Sequence, residues 1–196
     1  MNVEMKSSNG ITLMPVETRL LSERRIFIEG DIDQGMACNF FRQLLFLVTE
    51  DAKRPIDIFI NSMGGEINAG LFIYDILQSC ETPARLFCLG QAYSMAAVLF
   101  ASGKNGRYML PNSKLMLHEP LLGNRVVGSS STIRSISESL LETKGKLNRI
   151  LMKHTGKKEE EIEEATSFDH YFSAEESKAF GLCDEIIGFQ NIAGGK

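Results

Sequence analysis

Ala84-Arg85-Leu86-Phe87-Cys88-Leu89-Gly90-Gln91-Ala92-Tyr93-Ser94-Met95-Ala96-Ala97-Val98-Leu99-Phe100-Ala101 is the stretch that decides the fold. Residues 84–89 are an apolar run of strand length, Gly90 interrupts it, and from Ser94 to Ala101 small and apolar residues continue as a buried helix would. The same order occurs twice upstream. Residues 25–28 form a short apolar strand closed by Gly30, and Met36, Phe40, Phe41, Leu44, Leu45, Leu47 and Val48 then recur at helical spacing. Residues 55–60 read as a strand, Asn61-Ser62-Met63-Gly64-Gly65 as a turn, and residues 68–77 as an amphipathic helix. Strand, turn and helix in threefold succession predict an α/β fold with a parallel sheet and crossover helices.

Downstream, residues 107–109 and 115–117 read as short strands. Residues 121–131 are polar and contain glycine, with extended character around Val126-Val127. Ile133, Ile136, Leu140, Leu141, Leu147, Ile150 and Leu151 mark the longest helix, residues 132–154, which Thr155-Gly156 stops. Such a helix is too long to lie flat on a small core, so it is expected to project and to bury its apolar face against another subunit. Ser173-Ala174-Glu175-Glu176 fits a capping box at a helix start, and residues 182–187 read as a last strand. Residues 1–18, with Asn9-Gly10 and Pro15 and no clear periodicity, read as a mobile or partner-bound arm. Residues 19–189 then form a single domain, and 190–196 a tail that frays from Asn191.

The 196 residues are enough for one domain with a substantial core. Hydrophobic residues make up 43% and charged residues 23%, which excludes a disordered or fibrous chain. A net charge of -4 and no Lys/Arg run argue against nucleic acid as a partner. Cys38, Cys80, Cys88 and Cys183 are scattered without metal-type spacing and read as core thiols of a reducing compartment. No stretch reaches the roughly 18 apolar residues of a membrane span, so a cytoplasmic location and no membrane partner are the simplest inference.

Ser94 lies between the strand and the helix, with small residues two before and two after it. That pattern allows a sharp turn presenting a nucleophile, at a helix end whose free amides favour negative charge, but serine is also a preferred N-cap. His118 follows an apolar strand, where it is either a catalytic base or a hydrogen-bonded structural histidine. Asp169 sits among aromatic residues that could bury its carboxylate beside an imidazole, or it is a solvated loop aspartate. Gly64-Gly65 lets backbone amides approach a ligand, as an oxyanion hole requires, or makes a plain tight turn.

Taken together, Gly-Gly, Gly-x-Ala-x-Ser-Met, His-x-Pro, and Asp just before Ser-Ala-Glu-Glu resemble, in this order, the proteolytic subunits of the Clp (caseinolytic) proteases. The likeness runs from about residue 18 to 187 and includes Ile60-Asn61-Ser62, Leu110-Pro111-Asn112-Ser113 and His154-Thr155-Gly156. It implies a crotonase-like α/β subunit with a head of strand-helix units and a handle spanning about residues 121–155. By this resemblance Ser94, His118 and Asp169 are the catalytic triad, and the amides of Gly65 and Met95 the oxyanion hole. Substrate peptide would lie extended along Gly65, Glu66, Ile67 and Asn68 on one side and Leu121, Leu122 and Gly123 on the other. The expected activity is serine endopeptidase cleavage of peptides and unfolded proteins inside stacked heptameric rings. No cofactor or metal is implied for this chain. It lacks a Gly-x-x-x-x-Gly-Lys-[Ser/Thr] loop, so ATP would be used by a separate Clp-type AAA+ ATPase.

Met63, Tyr93, Ala96, Glu119 and Phe168 depart from the family pattern near the site, and Asp57 replaces an aromatic residue of the ATPase docking pocket. Two rival readings follow. One is a weakly active regulatory ring subunit working with a more typical paralogue. The other is a crotonase-type acyl-CoA enzyme, which leaves Ser94, His118 and Asp169 unexplained. A metal site of His118, Glu119, Asp169 and His170 has no recognisable spacing.

Overall fold

Three neighbouring strands bend at one level, and that bend sets where the chemistry lies. The computed structural model describes residues 1–7, 10–123 and 127–193. A separate antiparallel hairpin, β1 (Asn2–Ser7) and β2 (Gly10–Pro15), is followed by α1 (Val16–Ser22). Then come β3 (Arg25–Ile32), α2 (Gln34–Glu50), β4 (Ile56–Gly65), α3 (Ile67–Ser79), β5 (Ala84–Tyr93) and α4 (Met95–Ala101). The chain continues through β6 (Arg107–Met109), β7 (Lys114–Leu117), α5 (Ser130–Thr155) and α6 (Glu159–Thr166). It closes with β8 (His170–Phe172), α7 (Ala174–Phe180), β9 (Glu185–Ile186) and α8 (Phe189–Ala193). The strands β3-β4-β5-β6-β9 run parallel, as the repeated strand-helix order predicts, while β7 pairs parallel with β5 and antiparallel with β8.

Periodicity explains the helices. Ala37, Phe40, Leu44 and Leu47 bury one stripe of α2, and Ala69, Ile73, Tyr74 and Leu77 one stripe of α3. All seven residues of α4 are buried, so this helix runs through the core. The fully buried Ile56, Ile58 and Ile60 of β4 each stabilise the fold by roughly 1.5–3 kcal/mol relative to exposure. Only Leu147, Asn148, Ile150 and Leu151 of α5 are buried, and Ile133 and Leu141 are 51% and 64% exposed. The N-terminal part of this helix therefore projects, as its length requires.

The bend arises from register shifts between Glu29 and Asp31 in β3 and between Ile60 and Ser62 in β4, and from Gly90 of β5 at φ 95°. Two serines satisfy the backbone groups that the shifts release. The Ser62 hydroxyl donates to the Gly30 carbonyl and accepts from the Gly64 amide. The Ser113 hydroxyl donates to the Cys88 carbonyl and accepts from the Gly90 amide. β5 consequently pairs with β6 over Leu86 to Cys88 and with β7 over Gln91 to Tyr93.

Buried arginines close the helix ends. Arg24 donates to the carbonyls of Leu47, Asp51, Arg54 and Pro55 around the end of α2. Arg107 pairs with Asp184 and donates to the carbonyls of Ala101, His154 and Gly181, which ties the ends of α4, α5 and α7 to one cation.

Several elements differ from expectation. Residues 61–65 are the bulged end of β4 and not a turn, and β5 runs on through Gly90 to Tyr93, because the serine hydroxyls allow a kinked ladder to continue. The first residues form a hairpin, for which Asn9-Gly10 is also a strong sequence signal. The acidic stretch after Lys157 is α6, which buries only Ile162, Ala165 and Thr166 and so shows little apolar pattern. The last strand shrinks to Glu185–Ile186, and α8 occupies the start of the tail. Val126 and residues 194–196 lie outside the described residues. The capping box at Ser173 is present in both its hydrogen bonds.

Candidate active site

Ser94 joins β5 directly to α4 at φ 53° and ψ -124°, a left-handed backbone that a β-carbon disfavours by about 1–2 kcal/mol. Its amide donates to the Met116 carbonyl at 2.8 Å, which pins the turn to β7. The hydroxyl makes no cap hydrogen bond to the helix it precedes. It lies 2.8 Å from Nε2 of His118. Ser94 thus holds the N-cap position of α4 without the side-chain bond of a cap, in the geometry of a nucleophile elbow.

His118 comes two residues after Met116, the register partner of Tyr93, so the two pairing strands carry serine and imidazole to the same edge. Its Nδ1 faces the Glu119 carbonyl at 2.5 Å. A carbonyl only accepts, so Nδ1 carries the proton and Nε2 is left to accept from the Ser94 hydroxyl. This is the tautomer a general base needs. Neither other histidine is placed there: His154 pairs with the Tyr74 hydroxyl at 3.2 Å, and His170 stacks on Phe172. Burial, with Lys153, Arg107 and Lys104 nearby, pushes His154 down to about 4.

The end of β4 lies against the elbow. A methyl group on Gly64, at φ 100°, would stand 2.7 Å from the Tyr93 carbonyl oxygen, 2.8 Å from Ser94 Cβ and 3.1 Å from the Met95 nitrogen. Only glycine fits. A methyl on Gly65 would meet the Ile32 backbone, so both residues of the Gly-Gly pair are dictated by close packing.

Asp169 is not brought into this group. The β7/β8 register, Leu115 with Phe172 and Leu117 with His170, would set Asp169 opposite His118 if it ran one step further. Pairing stops before that step. Asp169 is exposed, and among the described residues none donates a hydrogen bond to its carboxylate. The flanking aromatics do not bury it, since Phe168 is 83% exposed and Tyr171 also faces outward. The reason is that β8 is a three-residue edge strand that buries only Phe172. The neighbouring Glu119 carboxylate pairs with Lys144 of α5 at 2.8 Å, and that bond helps hold the Lys144 ammonium above its ordinary range.

A cavity of about 690 Å³ joins Ser94 and His118 to Gly65 and Met95. Glu66, Ile67, Asn68, Leu121 and Gly123 also line it, whereas Leu122 does not. Asp31 near the end of β3, Asp33 at the N-cap of α2, and Leu147, Asn148 and Leu151 on α5 also line it, and none of them stands out in the sequence. The helical spacing of Leu147 and Leu151 marks them as buried but does not say against what. Among the described residues, no group of three His, Cys, Asp or Glu is placed to share a metal ion, and no helix is long and apolar enough to cross a membrane. The four cysteines are free thiols, and burial raises Cys88 to about 12 and Cys183 to about 11, so neither is a reactive thiolate.

A strained serine elbow on a bent parallel sheet, a histidine in the tautomer of a base and a glycine strand end on the same cavity define a class, the crotonase-like α/β chains with a serine–histidine pair. A family model described as Clp protease matches residues 8–190 of the 196. The chain belongs to the Clp protease family, and this membership supports a ClpP-type peptidase.

Proposed function

We propose that the chain is a serine endopeptidase that cleaves peptides and unfolded proteins within an oligomeric chamber. The observation that carries the reading is the 2.8 Å contact between the Ser94 hydroxyl and His118 Nε2 at a strained elbow. Ser94 Oγ attacks the peptide carbonyl while His118 takes its proton, and the amides of Gly65 and Met95 receive the oxyanion. His118 then protonates the leaving amine, and water, activated by the same imidazole, hydrolyses the acyl-enzyme. Peptide pairs as an added strand along Gly65 to Asn68 and Leu121 to Gly123.

Asp169 completes the triad when the β7/β8 ladder extends by one residue and His118 Nδ1–H passes from the Glu119 carbonyl to the carboxylate. The exposed apolar residues of α5 belong, in this reading, to contacts between stacked rings. Unfolding is assigned to a separate Clp-type ATPase. The docking face carries Asp57 held bidentately by Arg85 at 2.7 and 2.9 Å, where an aromatic side chain would otherwise stand.

The separation of Asp169 from His118 favours one second reading, a weakly active subunit that gains full activity only alongside a paralogue. Hydrolysis of short fluorogenic peptides by the assembled chain tests both. The peptidase reading expects turnover that Ser94→Ala abolishes and that Asp169→Asn lowers by about ten-thousand-fold, as in other serine triads. No turnover from the chain alone, restored by mixing with a paralogue, selects the second reading.

A further inference from the structure

Tyr93, Met116 and Tyr171 stand in one row across three strands. Tyr93 of β5 is the register partner of Met116 in β7, and Met116 is the partner of Tyr171 in β8. Partners across a ladder face the same side of the sheet, and here the two tyrosine rings meet edge to face across the intervening strand, with centroids 5.6 Å apart at 86°. Tyr93 immediately precedes the nucleophile, and the Met116 carbonyl accepts from the Ser94 amide at 2.8 Å. Tyr171 follows Asp169 by two positions. β8 pairs with β7 alone, and its one buried residue, Phe172, packs its ring on Phe180 at 5.1 Å. This three-residue edge strand is thus gripped on both faces, by Phe180 through Phe172 and by Tyr93 through Tyr171.

We infer that Tyr171, gripped by Tyr93, is a positioning residue of the peptidase: the ring contact fixes the register of β8 and with it the reach of Asp169 to His118. The inference rests on the peptidase reading, in which Asp169 completes the triad, and adds the device that delivers it. Side chains alternate along a strand, so a slip of one residue turns each of them to the other face. Such a slip would carry Tyr171 away from Tyr93 and would set Asp169 opposite Leu117 or Glu119 in place of His118. A slip of two keeps the face but takes Tyr171 out of the row. The contact is therefore made in one register, the one whose next rung joins Asp169 to His118. Among the described residues neither tyrosine lines the cavity at Ser94, so the pair acts through β8 and not by touching peptide. Tyr93 is also a position at which the sequence departs from the family pattern, which makes the grip a property of this chain.

The test measures hydrolysis of a short fluorogenic peptide by the assembled protein. Tyr171→Ala and Tyr93→Ala, each removing one ring, are expected to lower kcat roughly 2- to 10-fold with KM unchanged, the range that an aromatic pair can supply. Tyr171→Phe keeps the ring and is expected to hold kcat within about twofold of the unaltered protein. In an Asp169→Asn background, where there is no carboxylate to deliver, Tyr171→Ala is expected to cost nothing further. An unchanged kcat in either alanine variant overturns the inference, as does an equal loss from Tyr171→Ala with and without Asp169, which would mark a merely structural role. If Asp169→Asn alone leaves turnover unaltered, the triad role of Asp169 falls and this inference with it, while the pairing of Ser94 with His118 stands. Neither turnover nor fluorophosphonate labelling of Ser94 in the unaltered protein removes the peptidase reading and the inference together.

Discussion

The Ser94 hydroxyl reaches Nε2 of His118 at 2.8 Å while the other ring nitrogen is held by the Glu119 carbonyl. Nucleophile and base are thus paired in the tautomer that a base needs without any contact from Asp169. A backbone carbonyl can orient an imidazole, but it lacks the negative charge that stabilises an imidazolium. The arrangement separates two requirements, tautomer and charge, that Asp169 would meet together.

The positive φ of Ser94 implies a conflict between stability and activity. Ser94→Gly removes the β-carbon from a left-handed backbone, and Ser94→Ala keeps it. Both lose hydrolysis, and the glycine variant is expected to be the more stable of the two by about 1 kcal/mol, read from urea unfolding midpoints. An alanine variant at least as stable as the glycine variant would mean that the elbow carries no strain.

Gly64 is the tightest contact on the elbow. Gly64→Ala sets a methyl against the Tyr93 carbonyl and Ser94 Cβ, at 2.7 and 2.8 Å before relaxation. Destabilisation of at least about 1 kcal/mol is expected, with a fall in kcat from displacement of the nucleophile. Denaturant titration and peptide hydrolysis on one preparation check both.

His154 gives the fold an acid limit. Burial is the largest cause that lowers it from 6.5 to about 4, so between these values the unfolded chain binds the additional proton. Its contribution is complete above pH 6.5 and is lost as pH falls through 4. After solvent screening this amounts to about 1 kcal/mol. Unfolding free energies measured from pH 4 to 7 should show that slope, and His154→Phe, which keeps the ring against Tyr74, should flatten it.

The three strand-helix repeats are legible because each is a local pattern: the apolar run of residues 84–89, for example, declares its strand unaided. The kinks are not. Asn61-Ser62 and Gly90 look like turns, and only the paired strands and the hydroxyls of Ser62 and Ser113 reveal a ladder that bends and continues. Ser94 and His118 stand 24 positions apart, and nothing local says that they meet, so their pairing was anticipated through family likeness alone. Asp169 was anticipated in the same way, but its placement depends on a three-residue edge strand whose pairing is decided by tertiary contacts. Asn148 was not anticipated, because one polar residue within an apolar stripe resembles a surface position until the helix is packed.

The most direct measurement of the central claim is peptide mapping by mass spectrometry after treatment of the assembled protein with a fluorophosphonate. A single adduct on Ser94, lost in His118→Ala, is expected. An adduct on another serine, or undiminished labelling of Ser94 once His118 is removed, would contradict the pairing on which the mechanism stands.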